Sequence, residues 1–148
     1  MDRALSRHHL FNPEGLPAAT GFSYGALAAG GRTLHIAGIT GQHADLSFHP
    51  SMVDQYATAC RAVATVITEA GGEPSDMVSM TIYTTAVSEY KANLGPIGEA
   101  YREVFGRHYP PMALIGVSAL YDKSAKVELV CVAVIPGRHT VGRSGQPP

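Results

Sequence analysis

The sequence predicts an α+β domain in which two helices pack on one face of a mixed β-sheet, with the element order β-β-α-β-α-β-β. Three observations lead to this fold class. Two stretches carry apolar residues at helical spacing, short β-branched stretches lie before, between and after them, and glycine or proline separates most of these stretches. The 148 residues suit a single domain with its own hydrophobic core.

The first two strands are predicted in "GFSYGALAAGGRTLHIAGIT", residues 21–40, on either side of "AAGG". A glycine-containing turn between two short strand-like runs predicts a β-hairpin. "AAGG" does not match a phosphate-binding loop, because the lysine and the glycine spacing of GxxxxGK[ST] are missing.

The first helix follows this hairpin. Ser51 can cap its N-terminus, with Asp54 in a variant of the capping box, and Gly71 and Gly72 end it. Its apolar stripe consists of Val53, Ala57, Cys60, Val63, Ala64, Ile67 and Ala70. Because Cys60 lies on this stripe, we expect it to be packed in the core as a small hydrophobic residue.

The second half of the chain continues with a strand in "DMVSMTIYTTAV" and a helix in "SEYKANLGPIGEAYREVFG". Pro96 either kinks this helix or opens its main segment as a first-turn proline. Two further strands, "MALIGVSAL" and "AKVELVCVAVIP", complete the order.

The last strand is apolar on both faces. A sheet that is covered by helices on one side needs only one apolar face. Its odd-numbered residues are all apolar and can face the helices, whereas the even-numbered ones are Glu128, Val130, Val132 and Val134. A one-sided sheet should alternate with polar residues at these positions. No helix remains in the chain to cover the second face, so a symmetric oligomer that packs sheet against sheet is predicted.

Composition limits the possible partners and environments. Eleven basic residues oppose twelve acidic ones without a run of like charges, so neither a nucleic-acid partner nor a membrane surface is indicated. Residues 1–20 are expected to be poorly packed, residues 21–136 form the domain, and residues 137–148 form a flexible tail. Two distant cysteines indicate neither a metal site nor a disulfide framework. Without a secretory signal, a cytoplasmic protein is expected.

Four segments together resemble the Rid family, also called YjgF-type or L-PSP-type proteins. They are "AGI" at the end of the second strand, "AGGEPSDMVSMTIYTT", "YREVFGRHYPPMALIGVSAL" and "KVELVCVAVIP". The resemblance extends from Gly21 to Pro136, and it depends on the order and spacing of the segments rather than on one motif. It implies a chorismate-mutase-like α+β fold and a homotrimer with a ligand cleft at each subunit interface.

The resemblance also implies an activity. Well-studied members hydrolyse enamine and imine intermediates such as 2-aminoacrylate to keto acids and ammonia, without a metal or a cofactor. In those members an arginine holds the substrate carboxylate through two charge-assisted hydrogen bonds. A glutamate on the last strand, together with backbone groups near a glycine on the second strand, helps to place the attacking water.

Most of these family residues are replaced in this sequence. Met112 stands at the position of the arginine, Leu114 at that of a frequent cysteine, and Val130 at that of the catalytic glutamate. Gly98 stands at the position of an asparagine on the second helix, and only the strand glycine, Gly38, is retained.

The family tyrosine near the N-terminus aligns with Ser23, with Tyr24 beside it. The expected ligand cleft therefore consists of Ser23, Tyr24, Gly38, Thr40, Gly98, Met112, Leu114 and Val130. From strand alternation, Met112 and Leu114 are expected to lie on the face away from the helices. A thioether cannot replace a guanidinium as a carboxylate ligand, so standard imine deaminase activity is not expected.

Candidates for acid–base chemistry are few. Tyr24 and His43 are the catalytic candidates, although a histidine in a loop such as "TGQHADLSFHP" is more often a solvated surface residue. His8 and His9 are expected at the surface. His35 lies on a strand face and is expected either to have a structural role or to line the cleft. Glu128 is expected to form a structural pair at the subunit interface.

Two functional hypotheses remain open. The first is a cofactor-independent hydrolase or lyase acting on an imine, enamine or carbonyl intermediate of a specialised biosynthetic pathway, with a small and rather apolar ligand. The second is a non-catalytic trimer that binds a metabolite, has a regulatory role or stabilises a partner. The alternative interpretation of Met112, Leu114 and Val130 is that hydrophobic packing at the trimer interface fills the cleft. A ribonuclease or translation-inhibitor role is a weaker third hypothesis, because no basic patch is present.

Overall fold

The computed structural model of the chain describes residues 6–137, which form a mixed sheet with helices on one side. The predicted tail, residues 137–148, lies outside the described residues apart from residue 137. The strands are β1 (His9–Phe11), β2 (Gly25–Leu27), β3 (Arg32–His35), β4 (Ile39–Thr40), β5 (Met77–Thr84), β6 (Met112–Gly116) and β7 (Val127–Ile135). The helices are α1 (Met52–Glu69), α2 (Val87–Ala92) and α3 (Leu94–Phe105), with a short 3₁₀ turn at Pro74–Asp76.

Strand β7 organises the main sheet. The strand order is β3-β7-β5-β6, and β4 pairs with β7 on the same edge as β3. Only β5 and β6 run parallel, while β7 is antiparallel to β3, β4 and β5. The α+β class and the mixed sheet are therefore confirmed.

The core lies between this sheet and the helices. The residues of β7 that face the helices are at most 3% exposed: Val127, Leu129, Cys131, Ala133 and Ile135. Cys60 of α1 is also fully buried, as its place on the apolar stripe predicts. Burial raises the pKa of both Cys60 and Cys131 to about 12, so both thiols stay protonated and act as packing groups.

The predicted second helix is in fact two helices. Asn93 interrupts it with φ −121° and ψ 26°, and its side-chain amide donates to the Glu89 carbonyl oxygen at 2.8 Å. Pro96 is the third residue of α3 and lies in its first turn, where no intrahelical hydrogen bond requires its missing N–H. The first-turn alternative for Pro96 is therefore confirmed, and three helices pack on the sheet.

The predicted hairpin around "AAGG" is wrong. Strand β2 pairs with β1 in a separate two-stranded sheet, and β3 pairs with β7. Gly25 allows the first pairing, because a Cβ atom at this position would collide with the Phe11 ring. Strand β1 could not be predicted from the sequence, because its three residues, His9–Phe11, are too few for a recognisable alternation.

Residues 6–8, before β1, are tied to the domain although residues 1–20 were expected to be poorly packed, whereas residues 11–18 are all exposed. The Arg7 guanidinium contacts Asp76 Oδ1 at 3.3 Å, and it donates to the carbonyl oxygens of Gly30 at 3.0 Å and Val134 at 2.6 Å. His8 is only 4% exposed, so its predicted surface position is wrong. We call residues 6–8 the N-terminal strap, because they tie the chain end to β7 and to the 3₁₀ turn.

The strap holds His8 in its neutral form. His8 Nδ1 accepts from the Ala29 N–H at 2.9 Å, so the ring proton is on Nε2, which lies 3.0 Å from the Val134 carbonyl oxygen. Burial, and then the charge of Arg7, lower the pKa of His8. Burial, followed by repulsion from His8, likewise lowers the pKa of His108, whose Nε2 lies 2.6 Å from the Met77 carbonyl oxygen.

We expect the folded protein to lose stability as the pH falls below about 6.5, the ordinary histidine value. The folded pKa values of His8 and His108 are lowered, so the unfolded chain binds protons first. The stabilisation from the two neutral histidines is therefore complete above about pH 6.5. Below that pH the free energy of unfolding decreases, by up to about 1.4 kcal/mol per pH unit for each histidine. Urea unfolding between pH 7.5 and 5, at one chain concentration, measures this slope.

Two variants isolate the contribution of the strap. His8→Gln should have a shallower pH dependence than the natural protein, whereas His9→Gln should not, because His9 is exposed. Equal slopes in all three proteins would contradict a buried, neutral His8.

Candidate functional site

The main sheet has one face against the helices and one face without helices, which we call the open face. Strand register assigns residues to it, because directly paired residues in neighbouring strands share a face. The open face consists of Thr33, His35, Thr40, Ser79, Thr81, Tyr83, Ala113, Ile115, Glu128, Val130, Val132 and Val134. It carries one carboxylate and neither lysine nor arginine.

Met112 and Leu114 lie on the helix side, not on the face away from the helices. Met112 pairs with Met80 and Leu114 with Ile82, and both partners belong to the buried core. Met112 packs against this core, whereas Leu114 remains 37% exposed because β6 is the edge strand. Alternation along β6 correctly separates Met112 and Leu114 from their neighbours Ala113 and Ile115. The expected face was wrong, because the pairing of β6 with β5 places Met112 and Leu114 on the helix side.

Ser23 lies close to the entry of β6. It is 8% exposed, and its N–H donates to the Pro110 carbonyl oxygen at 3.4 Å, two residues before Met112. The neighbouring Tyr24 is 37% exposed, and its hydroxyl already donates to the Pro17 carbonyl oxygen at 2.9 Å. These contacts bring the segment around Ser23 to the same end of the domain as Met112.

Gly38, Thr40 and Val130 group around Glu128. Thr40 pairs directly with Glu128, and Val130 follows two residues later on the same face. A Cβ atom at Gly38 would collide with the Glu128 carboxylate, so the glycine leaves room for that side chain. Val130 is 37% exposed and forms the apolar neighbour of this group.

The two remaining candidates lie apart from these groups. His43 is exposed in the loop after β4, where its N–H donates to the Ser47 carbonyl oxygen at 2.8 Å. Gly98 lies within α3, with the flexible Arg102 side chain as its nearest neighbour. No hydrogen bond or ring contact between described residues joins either one to the other candidates.

The candidates therefore form two groups on opposite sides of the sheet. Ser23, Met112 and Leu114 lie at the β6 edge. Thr40 and Val130 lie on the open face, and Gly38 lies against the Glu128 carboxylate of that face. Within residues 6–137, no cluster of histidine, cysteine and acidic side chains has the geometry to hold a metal ion. None of the helices in that range combines the length and the hydrophobicity that a membrane span requires.

Two further residues that complete these groups are not among the residues predicted from the sequence. Tyr83 pairs with Glu128 across β5 and β7, and Ile115 pairs with Tyr83 across β5 and β6. Alternation within each strand could have suggested a shared face, but the register between strands depends on distant parts of the chain.

Comparison with protein families gives a match over nearly the whole domain. Residues 14–135 match the family model described as endoribonuclease L-PSP. The comparison with curated protein sequences gave no match.

Solved structures of similar fold come from several bacteria. The Rid family protein YyfB from Yersinia pestis has 27% identity and a TM-score of 0.78, over 86% of this chain and 98% of that one. Rv2704 from Mycobacterium tuberculosis, a member of the YjgF/YER057c/UK114 family, has 24% identity and a TM-score of 0.59, over 86% and 99%. RidA from Psychrobacter sp. PAMC 21119 has 22% identity and a TM-score of 0.62, again over 86% and 99%.

The family match covers well over half of the chain, and the solved structures share its fold across almost their whole length. The chain therefore belongs to the endoribonuclease L-PSP family, the Rid or YjgF family that its sequence resembles.

Proposed function

We propose that the chain forms a homotrimer with a cleft at each subunit interface, and that the cleft binds a small, rather apolar metabolite. The protein acts there on an imine, enamine or carbonyl intermediate of a specialised biosynthetic pathway, and not as a standard 2-aminoacrylate deaminase. We place this activity in the cytoplasm, where free cysteines such as Cys60 and Cys131 stay reduced.

One observation carries the proposal: within residues 6–137 no helix covers the open face, although its apolar residues Val130 and Ile115 are more than one-third exposed. Val130 of β7 and Ile115 of β6 are 37% and 42% exposed on the two sides of β5, whose Thr81 pairs with both Val130 and the smaller Ala113. A sheet face of this kind gains free energy when another protein surface covers it. Identical chains are the simplest partners, because closed symmetry covers every copy of the face.

The two groups of candidate residues support a shared cleft. Met112 and Leu114 are at the β6 edge, whereas Val130 and Thr40 are on the open face. Residues on opposite sides of one sheet contact a single small ligand most readily when two copies meet at the edge strand. A neighbouring chain would then supply the second group.

The polarity of the candidate residues favours a ligand without a carboxylate. Met112 stands where the family has the arginine that holds the substrate carboxylate, and a thioether is only a weak acceptor. Removing a charged hydrogen-bonded grip weakens binding by roughly 2–5 kcal/mol. An endoribonuclease activity is also disfavoured, because the open face has no lysine or arginine that could bind the phosphate groups of RNA.

A non-catalytic trimer is the second candidate function. The hydroxyl of Tyr24 is already bound to the Pro17 carbonyl oxygen, and His43 is exposed on a loop. These two groups are therefore not arranged as an acid–base pair in the single chain. Loss of turnover in Tyr24→Phe or His43→Ala would favour the enzyme, and ligand binding without turnover would favour the second candidate.

We expect the natural protein to hydrolyse 2-aminoacrylate at a rate near the uncatalysed background. The reason is that Met112 and Val130 stand where the family has the arginine and the catalytic glutamate. A coupled assay that generates 2-aminoacrylate and follows keto-acid formation measures this rate directly. The double variant Met112→Arg/Val130→Glu should raise the rate above that of the natural protein.

The double variant Leu94→Arg/Val66→Glu is the matched control, because it adds the same charges at exposed helix positions. It should leave the rate at background. Rapid hydrolysis by the natural protein would contradict the proposed loss of deaminase activity.

A further inference from the structure

We propose that Glu128 is the recognition group of the cleft and that the ligand is a cation, namely a protonated amine or iminium with an apolar substituent. This inference rests on the proposed function and names its substrate class. In this proposal Glu128 contacts the ligand, whereas the sequence had predicted that it pairs with a residue at the subunit interface.

Glu128 is flanked by hydroxyl groups in one row of the open face. Thr40 of β4 and Tyr83 of β5 are its direct neighbours on the two sides. Cβ atoms of such neighbours are about 4.5–5.5 Å apart, so a ligand that reaches Glu128 is also within reach of both side chains. The Tyr83 ring provides, in addition, a π-surface that favours a cation.

The carboxylate of Glu128 has a glycine as its close neighbour. It lies against Gly38, where any side chain would collide with it. Glu128 is half-buried, and the missing side chain at Gly38 leaves space beside its carboxylate.

This carboxylate lacks the partner that comparable acidic groups have. Asp76 binds Arg7, and both carboxylate oxygens of Glu89 contact the Lys126 ammonium group at 2.9 and 3.0 Å. Across residues 6–137, no hydrogen bond or ion pair engages the Glu128 carboxylate. A cleft that covers an unpaired carboxylate needs a positive group there, because a buried unpaired charge is strongly unfavourable.

The residues around Glu128 indicate that the rest of the ligand is apolar. Val130 lies two residues along the same strand, and Ile115 follows Tyr83 in the row. Both are more than one-third exposed and present apolar surface next to the charge. The open face has no lysine or arginine to attract an anion, so it selects an apolar cation over an apolar anion of equal size.

Three six-carbon probes of different charge test this inference: hexylammonium, hexanol and hexanoate. Each is titrated into the ¹⁵N-labelled full chain at pH 7.5, and the amide signals of Gly38 and Thr40 are followed. Hexylammonium should shift these signals and bind at least about tenfold more tightly than hexanoate. Glu128→Gln should remove this preference by weakening hexylammonium binding about tenfold, while Glu103→Gln, an exposed position on α3, should not.

Two outcomes would overturn the inference and leave the proposed function standing. The first is equal binding of all three probes by a trimeric protein, which would mean an apolar cleft without charge selection. The second is loss of the trimer in Glu128→Gln, which would assign the carboxylate to a contact between subunits. A monomeric natural protein that binds none of the probes would overturn both proposals.

Discussion

Replacing Ile115 by aspartate is expected to separate the proposed homotrimer into single chains. Ile115 is 42% exposed on the open face of the edge strand β6, next to Tyr83 of β5. In a trimer that covers this face, the new carboxylate would be buried without a partner, which costs roughly 3–5 kcal/mol. Each subunit of the trimer would carry this penalty, so association should weaken by well over a hundredfold. Analytical ultracentrifugation over a range of chain concentrations measures the change.

Val66→Asp provides the matched control. Val66 is also β-branched and is 36% exposed, but it lies on α1 and away from the sheet. The control should therefore remain a trimer with the same association behaviour as the natural protein. Circular dichroism establishes that both variants are folded. An Ile115→Asp protein that still associates like the natural one would mean that the open face is not the interface.

Replacing Gln55 by leucine is expected to destabilise the fold by about 3 kcal/mol. Gln55 is 1% exposed in α1, and its amide group joins three parts of the chain. Its Nε2 donates to the carbonyl oxygens of His49 at 2.8 Å and Ser124 at 2.9 Å, and its Oε1 accepts from the Lys126 N–H at 2.8 Å. Leucine fills a similar volume but leaves two carbonyl groups and one N–H without these partners, and because the three hydrogen bonds are partly buried each loss costs about 1 kcal/mol. Urea unfolding at one chain concentration measures the loss.

The control for this substitution is Gln42→Leu. Gln42 is exposed, and its side chain donates one hydrogen bond, to the Leu46 carbonyl oxygen at 3.1 Å. Its replacement should change the free energy of unfolding by no more than about 0.5 kcal/mol. Hydrogen exchange adds a local measurement, because the Lys126 amide should lose protection only in Gln55→Leu. Equal stability of the two variants would contradict the role of Gln55.

Elements with a long local pattern could be predicted from the sequence. The stripe that begins at Val53 and the N-terminal cap at Ser51 fix α1, and the Ser51 hydroxyl does accept from the Asp54 N–H at 3.4 Å. The two apolar faces of β7 were equally evident, because nine consecutive strand residues carry a single charge. In these segments local propensity and tertiary packing favour the same structure.

Elements that depend on distant partners could not be predicted in this way. The N-terminal strap is held by contacts of Arg7 with Asp76 and Val134, which are 69 and 127 residues away in the chain. Likewise, β2 takes β1 as its partner and β3 takes β7, although a turn between β2 and β3 favoured a hairpin. Local sequence indicates where a strand forms, but only tertiary packing decides which strand it joins.

The candidate site was limited by the same difficulty. Alternation along β6 separates Met112 and Leu114 from Ala113 and Ile115, but the pairing of β6 with β5 decides which set faces the helices. The contact of Glu128 with Gly38 joins residues 90 positions apart, which sequence spacing does not reveal. Most of the candidate site residues were predicted from the resemblance to the Rid family. The strand register then divides them between the two faces of the main sheet.

The mass of the natural protein in solution tests the central claim most directly. Sedimentation equilibrium at micromolar chain concentration should give about 47 kDa, the mass of three chains of 15.6 kDa each. A mass of 15.6 kDa at every concentration would contradict the account, because the open face would then be uncovered and the cleft would have no second subunit.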